Sequence, residues 1–167
     1  MTTSTLPRRW IGVRPWLGTA ARLGLAVVWL AAGASKISDL AASGRAVNAY
    51  QLMSYDIAKV VGAALPFVEI ALGVLLLVGL ATRLAAIVSA ALLVVFIAGI
   101  TSAWARGLAI ECGCFGGGGE LGAGQSPSYG PEIARDVAFL LLAAFLIVWP
   151  RTRLSVDSWL DPEGEPS

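Results

Sequence analysis

The chain has 167 residues, enough for a single domain, and 57% of them are hydrophobic while only 14% are charged. A soluble domain is typically about a quarter charged, so this composition excludes an ordinary soluble protein and predicts a membrane protein. The net charge of +1 gives no electrostatic basis for binding nucleic acid, the absence of histidine excludes a histidine base, metal ligand or haem ligand, and two cysteines are too few for a four-thiolate zinc or iron–sulfur site.

Four apolar segments follow one another along the chain, each close to the about 20 residues that a membrane-spanning helix needs. They are predicted at 16–35, 57–80, 84–104 and 133–149. For the first segment the alternative is a cleaved signal peptide, with a charged start at Arg8 and Arg9 and an Ala-Gly-Ala site at 32–34. Its length and the three later segments favour a retained helix. The sequence therefore predicts an all-α membrane protein, an antiparallel bundle of four membrane-spanning helices over residues 16–150.

The segments between the predicted helices differ in character. Residues 40–54 mix apolar and polar side chains, which predicts a short helix lying on the membrane surface. The connection at 81–83 is so short that the second and third helices must form an antiparallel hairpin. Residues 107–130 are rich in glycine and predict an irregular loop, and the tail from 154 to 167 is polar, acidic and expected to be mobile.

The distribution of cations predicts the orientation in the cell membrane. With four spans, the N-terminal segment 1–15 and the tail 151–167 share one side. Lysine and arginine are denser there than in the two longer loops on the other side, so the termini are predicted to be cytoplasmic and the loops at 36–56 and 106–132 extracytoplasmic. The arginines on the side of the termini are Arg8, Arg9, Arg14, Arg22, Arg83, Arg151 and Arg153.

Both cysteines lie in the second outer loop, as Cys112-Gly113-Cys114 followed by Phe115 and Gly116. Disulfides persist outside the cytoplasm, and a bridge across one glycine closes a ring too small to restrict much chain entropy, which argues against a structural role. Strained, exposed bridges tend to be the labile, more oxidising kind. The pattern favours redox exchange at Cys112 and Cys114; metal or thiol binding and a loop without chemistry remain as alternatives.

A second candidate site lies inside the membrane. Glu69 follows Pro66 by three residues within the second segment, and a carboxylate in a spanning helix usually faces a partner or a cavity. Lys36 and Arg135, at the outer ends of the first and fourth helices, are the predicted partners, with Asp136 adding a further acid. The alternative is a charge cluster that only fixes helix packing.

These stretches resemble a known family. Arg-Leu-Gly at 22–24 with Ala-Gly-Ala-Ser-Lys at 32–36, and Leu-Pro-Phe-Val-Glu at 65–69, resemble the first two helices of the DoxX-like membrane proteins. The Cys-Gly-Cys-Phe-Gly loop at 112–116 and the Arg-Asp pair at 135–136 resemble the MauE branch, the methylamine-utilisation proteins. Where that family often has Arg-Asn, this chain has Arg135-Asp136, which adds a charge.

The resemblance implies a four-helix membrane protein tied to extracytoplasmic thiol chemistry, of a family often encoded beside thioredoxin-like proteins. It carries over to Cys112 and Cys114, and to Glu69, Lys36 and Arg135 as polar positions of the family pattern. The leading hypothesis is disulfide exchange with a thioredoxin-like partner. The alternatives are a disulfide oxidase coupled to quinone, the one cofactor considered, and a non-catalytic assembly or anchoring protein.

Overall fold

The computed structural model describes residues 8–113, 118–122, 125–150, 152 and 155–160. Within them it contains the helices α1 (Arg8–Ile37), α2 (Leu40–Ala49), α3 (Tyr55–Val78), α4 (Thr82–Ala105), α5 (Tyr129–Val148) and α6 (Val156–Leu160). Two short strands, β1 (Ile110–Glu111) and β2 (Gly119–Glu120), lie between α4 and α5. They pair in antiparallel fashion, Ile110 opposite Glu120, so the predicted irregular loop contains a small hairpin.

Three helices of the described chain are long and apolar enough to cross a membrane: Val13–Ile37 within α1, and the whole of α3 and α4. Helix α5 has 20 residues, but its first two turns carry Glu132, Arg135 and Asp136. Large apolar side chains on its later turns are nevertheless exposed, as they are on α3 and α4; Leu141 is 66% exposed and Val60 68%. Such outward-facing apolar surfaces suit lipid rather than water.

The prediction of a helix in the first loop is met by α2, which ends five residues earlier than the predicted segment. Its first turn is capped by Asp39, whose side chain accepts a hydrogen bond of 2.8 Å from the N–H of Ala42. The position of α2 at the membrane surface stays a prediction.

Helices α1, α3, α4 and α5 share one apolar core. At its centre Trp29 of α1 donates a hydrogen bond of 2.9 Å from Nε1 to Ser89 Oγ of α4, so the buried indole N–H has an acceptor. The Trp29 ring also contacts Phe96, with 6.3 Å between ring centroids. The buried side chains of this core are Ala21, Leu25, Ala26, Trp29, Leu72, Leu76, Ala85, Ala86, Leu93, Ala143 and Leu146.

Glycines allow α3 to lie very close to its neighbours. A Cβ atom at Gly33 of α1 would lie 2.8 Å from the carbonyl oxygen of Pro66 and 2.6 Å from Ile70 Cγ1, both on α3. A Cβ atom at Gly62 of α3 would lie 2.5 Å from the Cα of Gly44 on α2. Because these distances are shorter than any real contact, only glycine permits the observed approach of the helix backbones.

Within the tail, α6 contributes a cap to the start of α4; the predicted mobility of residues 154–167 stays a prediction. Ala81, at the start of α4, has φ of +50° and no capping side chain, so Asp157 of α6 supplies the acceptors. Its carboxylate accepts hydrogen bonds of 2.8 Å from the N–H groups of Ala81 and Thr82. Burial alone would raise the pKa of Asp157, but these bonds and the positive charge of Arg22 hold it below the usual value.

The contacts define two ends of the molecule. At one end, which we call the termini end, Asp157 meets the turn between α3 and α4, and the guanidinium of Arg14 lies 4.9 Å from the ring centroid of Trp149. At the other, the cysteine end, Tyr50 at the end of α2 donates a hydrogen bond to the carbonyl of Cys112. The helices therefore run between two ends, with α6 and the turn between α3 and α4 at one and Cys112 at the other.

The close approach at Gly33 is tested by a single methyl group. We expect Gly33→Ala to lower the midpoint of thermal unfolding in detergent, because the added carbon overlaps Pro66 and Ile70, and overpacking costs about 1–3 kcal/mol. Gly24→Ala, also on α1, is the matched control, since a Cβ there meets no described atom within 4 Å. Alanine at 24 should be neutral or stabilise by up to about 1 kcal/mol. Equal effects of the two substitutions would contradict this account of the helix contact.

Candidate functional site

Cys112 follows β1 directly and is partly buried at the cysteine end. The structure has it in the disulfide-bonded form. Cys114 lies outside the described residues. Behind Cys112 a second apolar cluster, formed by Ala49, Ile100, Ala103, Ile110 and Tyr129, joins α2, α4, β1 and α5. Cys112 therefore rests on a packed platform to which three helices contribute.

Backbone contacts of Cys112 fix its position on this platform. Tyr50 donates a hydrogen bond of 3.1 Å from Oη to the Cys112 carbonyl oxygen, and Arg106 in turn donates to the carbonyl of Tyr50. On the other side the Glu132 carboxylate accepts a hydrogen bond from the N–H of Cys112. Burial raises the pKa of Tyr50 well above its usual value, so its hydroxyl stays protonated and keeps its role as a donor.

Glycine is required beside Cys112. Gly113 has φ of +70°, a conformation that L side chains rarely adopt. A Cβ atom at Gly118 would lie 2.2 Å from the Cα of Gly113 and 3.1 Å from the Cβ of Ala46 on α2. Gly113 and Gly118 thus touch each other, and both lie close to Ala46 of α2.

A second site lies inside the helices and contains the predicted intramembrane residues. Lys36 Nζ of α1 donates to Glu69 Oε1 of α3 over 2.6 Å, and the side chains are 6% and 0% exposed. Arg135, also predicted as a partner of Glu69, instead pairs with its neighbour Asp136, with Nε and Nη2 each 3.0 Å from Oδ1. Two ion pairs are therefore present, and each carboxylate uses one oxygen for its cation.

Glu69 and Asp136, the acids of the two ion pairs, line the same small cavity. A cavity of about 20 Å³ is lined by Glu69 and Asp136 together with Trp29, Leu93 and Phe139. Within the described residues, neither Glu69 Oε2 nor Asp136 Oδ2 has a hydrogen-bond partner. The cavity therefore joins the two ion pairs, whose acids lie on different helices.

A larger apolar cavity of about 200 Å³ lies between α2, α3, α4 and the cysteine loop. Lys36 and Cys112 both line it, so it adjoins the buried ion pair and the disulfide. Leu52, Val61 and Val95 on its rim are exposed, and the cavity opens on the outer surface of the helices. Its shape and lining suit a small apolar ligand that enters from lipid.

Sequence reasoning missed two residues of the site. Tyr50 lies at the end of α2, and its contact with Cys112 spans 62 residues of chain. Glu132 precedes the predicted fourth span, and only its spacing of four residues from Asp136, which puts both on one helix face, indicates a shared site.

The comparisons with known proteins agree with the sequence resemblance in part. The family model described as methylamine utilisation protein MauE matches residues 14–149. No curated protein and no solved structure matches the chain. The wider likeness to DoxX-like proteins stays a prediction.

The Lys36–Glu69 pair predicts a characteristic pattern of stability. Lys36→Met should destabilise the protein by about 3–5 kcal/mol, because it leaves the buried Glu69 carboxylate without its cation. The double variant Lys36→Met/Glu69→Met should recover most of that loss, since no buried charge is then uncompensated. Denaturant unfolding in detergent measures both.

Lys59→Met is the control for loss of a lysine, because Lys59 is exposed on α3. We expect a change within about 0.5 kcal/mol there. A double variant as unstable as Lys36→Met would show that the ion pair is not the source of the effect.

Proposed function

The chain belongs to the family of the methylamine utilisation protein MauE, and we propose that this membrane protein exchanges disulfides through Cys112 and Cys114 with a thioredoxin-like protein outside the cytoplasm. The observation that carries the proposal is the state and setting of Cys112. It is disulfide-bonded, flanked by a glycine in the left-handed region, and held by its backbone at one end of the helices. A partner can approach such a loop without moving the helical core.

The exchange itself needs no group beyond the two thiol pairs. A thiolate of the partner attacks one sulfur of the Cys112–Cys114 bridge, forming a mixed disulfide and releasing the other sulfur as a thiolate. The partner's second thiolate then attacks the mixed disulfide. The partner leaves oxidised, and this chain keeps two electrons as a reduced cysteine pair; the reverse sequence oxidises the chain again.

The membrane arrangement is part of the proposal. We take α5 as the fourth span, because it packs along α4 and α1 and exposes apolar side chains such as Leu141 and Val148. Its three charged residues then lie at the cysteine end, where Arg135 pairs with Asp136. The excess of arginine near the termini end favours that end as cytoplasmic, with the cysteine loop on the oxidising side.

A quinone-coupled disulfide oxidase is the second candidate, and the larger apolar cavity favours it. The cavity opens toward lipid and reaches Cys112, so a lipid-soluble ring bound there would lie beside the disulfide. A reduced cysteine pair gives up two electrons and two protons to become a disulfide, which is what a quinone takes up on becoming a quinol. Reduction of added quinone by the purified protein and a dithiol distinguishes this candidate from exchange alone.

Mixed-disulfide trapping tests the leading proposal. In Cys114→Ser and in Cys112→Ser the remaining thiol has no neighbouring thiol to resolve a mixed disulfide, so at least one variant should accumulate a covalent adduct with a thioredoxin-like protein. Non-reducing electrophoresis of membranes from cells, followed by identification of the adduct, provides the measurement. The double Cys→Ser variant is the control and should give none. If neither single variant forms an adduct and the double variant supports normal growth, the chain is an assembly or anchoring protein instead.

Impermeant maleimide labelling tests the orientation separately. After reduction of intact cells, wild-type protein should be labelled at Cys112 or Cys114, because the proposal puts the loop outside the cytoplasmic membrane. The double Cys→Ser variant should remain unlabelled. Labelling only after permeabilisation would place the loop inside, where thiols are kept reduced, and would remove the main argument for disulfide exchange.

A further inference from the structure

Three carboxylates lie in a row from the cysteine loop into the membrane. Glu132 accepts a hydrogen bond from the N–H of Cys112. Asp136 lies four residues later on α5, hence one turn along the same helix face. Asp136 and Glu69 then line one small cavity. The row begins beside the disulfide and ends at the Lys36–Glu69 pair.

Each of the three acids keeps one buried oxygen without a hydrogen-bond partner among the described residues: Glu132 Oε2, Asp136 Oδ2 and Glu69 Oε2. Glu69 and Asp136 are 0% and 2% exposed. An unpaired ionised oxygen in apolar surroundings is costly, so these atoms require a proton or a donor. The cavity between Asp136 and Glu69, about 20 Å³, has room for one water molecule with polar partners on two sides.

The charges around the row do not balance. Lys36 and Arg135 are its two cations, against three carboxylates, so full ionisation would leave one negative charge uncompensated. Among the described residues, Glu111 also acts on Glu132, and Tyr129 acts on the neighbouring Tyr50; none of these three groups is a cation. Glu111 is exposed to solvent. One proton on the row restores neutrality.

We propose that Glu132, Asp136 and Glu69 form a proton path that holds one proton at rest and exchanges protons with the cysteine pair, with a water molecule in the small cavity joining Asp136 to Glu69. Its role in thiol chemistry rests on the proposed function. When the disulfide is reduced, the released Cys112 thiolate takes the proton from the Glu132 carboxyl group, giving a thiol and a carboxylate. The proton reaches Glu132 from Asp136 or Glu69 by transfer along the row, so the row holds no proton while the cysteine pair is reduced. Oxidation of the pair returns the proton by the reverse steps.

Infrared difference spectroscopy on the full-length protein in detergent, oxidised against dithiol-reduced, tests this path. The wild type should show a carbonyl stretch of a protonated carboxylic acid that shifts in heavy water and changes on reduction. Asp136→Asn and Glu69→Gln should each abolish or displace that band. Glu120→Gln, which changes an exposed acid of β2, is the matched control and should leave it unaltered.

The outcomes separate the proton path from the exchange function, because the cysteines are reduced chemically and no partner is needed. A protonated-acid band that changes on reduction supports the path even if no mixed-disulfide adduct is found. Absence of the band overturns it, as does a band that reduction leaves unaltered. A band that appears only in buffer free of sodium would show that the row holds a metal cation instead of a proton, and would also overturn it.

Glu132→Gln gives an independent readout if Asp136→Asn or Glu69→Gln folds poorly. In the Cys114→Ser background, the alkylation rate of Cys112 as a function of pH should show two titrating groups, the thiol itself and the acid beside it. Adding Glu132→Gln should reduce this profile to a single titration. Identical profiles with and without Glu132→Gln would overturn the assignment of Glu132 as the proton donor to the sulfur.

Discussion

A charged side chain inside a membrane must find its counter-charge within the protein, because lipid offers neither water nor ions. The contact of 2.6 Å between Lys36 Nζ and Glu69 Oε1 meets this requirement. It also fixes the relation of α1 to α3, since a rotation of either helix would expose one charge to lipid. Gly33 allows α1 and α3 to come close enough for this contact. It lies one turn before Lys36 and packs against the Pro66 carbonyl and Ile70, which flank Glu69 in the chain.

Elsewhere in the molecule, small residues allow close helix contact and side chains satisfy buried or terminal polar groups. Gly62 and Gly44 bring α2 against α3, which places Tyr50 under the cysteine loop. At the opposite end Asp157 binds the exposed N–H groups of α4, where Ala81 has no side chain able to do so. Close helix contact and satisfied polar groups thus position both ends, while the faces between them remain apolar.

Local sequence patterns predict the helices well, because long apolar runs and short connections leave few alternatives. The place of Lys36 at the outer end of the first helix predicts it as a partner of Glu69, and the structure pairs them. The same reasoning predicts Arg135 there, but its neighbour Asp136 is nearer and binds it.

Contacts across distant chain segments are not predictable in this way. The contacts of Tyr50 with Cys112, and of Asp157 with the start of α4, depend on how elements pack and leave no local periodicity. The two-residue strands are too short to give any alternation of polar and apolar residues.

The position of the acids relative to Cys112 has a physical consequence for the proposed thiol chemistry. Disulfide exchange consumes one thiolate and releases another, so its energetics depend on where protons and negative charge can be placed. For a cysteine loop surrounded by water, the solvent would supply and take up these protons. Here the backbone of Cys112 touches a carboxylate that begins a buried row leading to Lys36, the residue that also lines the apolar cavity beside Cys112. Lys36 therefore adjoins Cys112 in two ways, across the apolar cavity and through the three acids, which links the ion pair to the cysteine loop in structure.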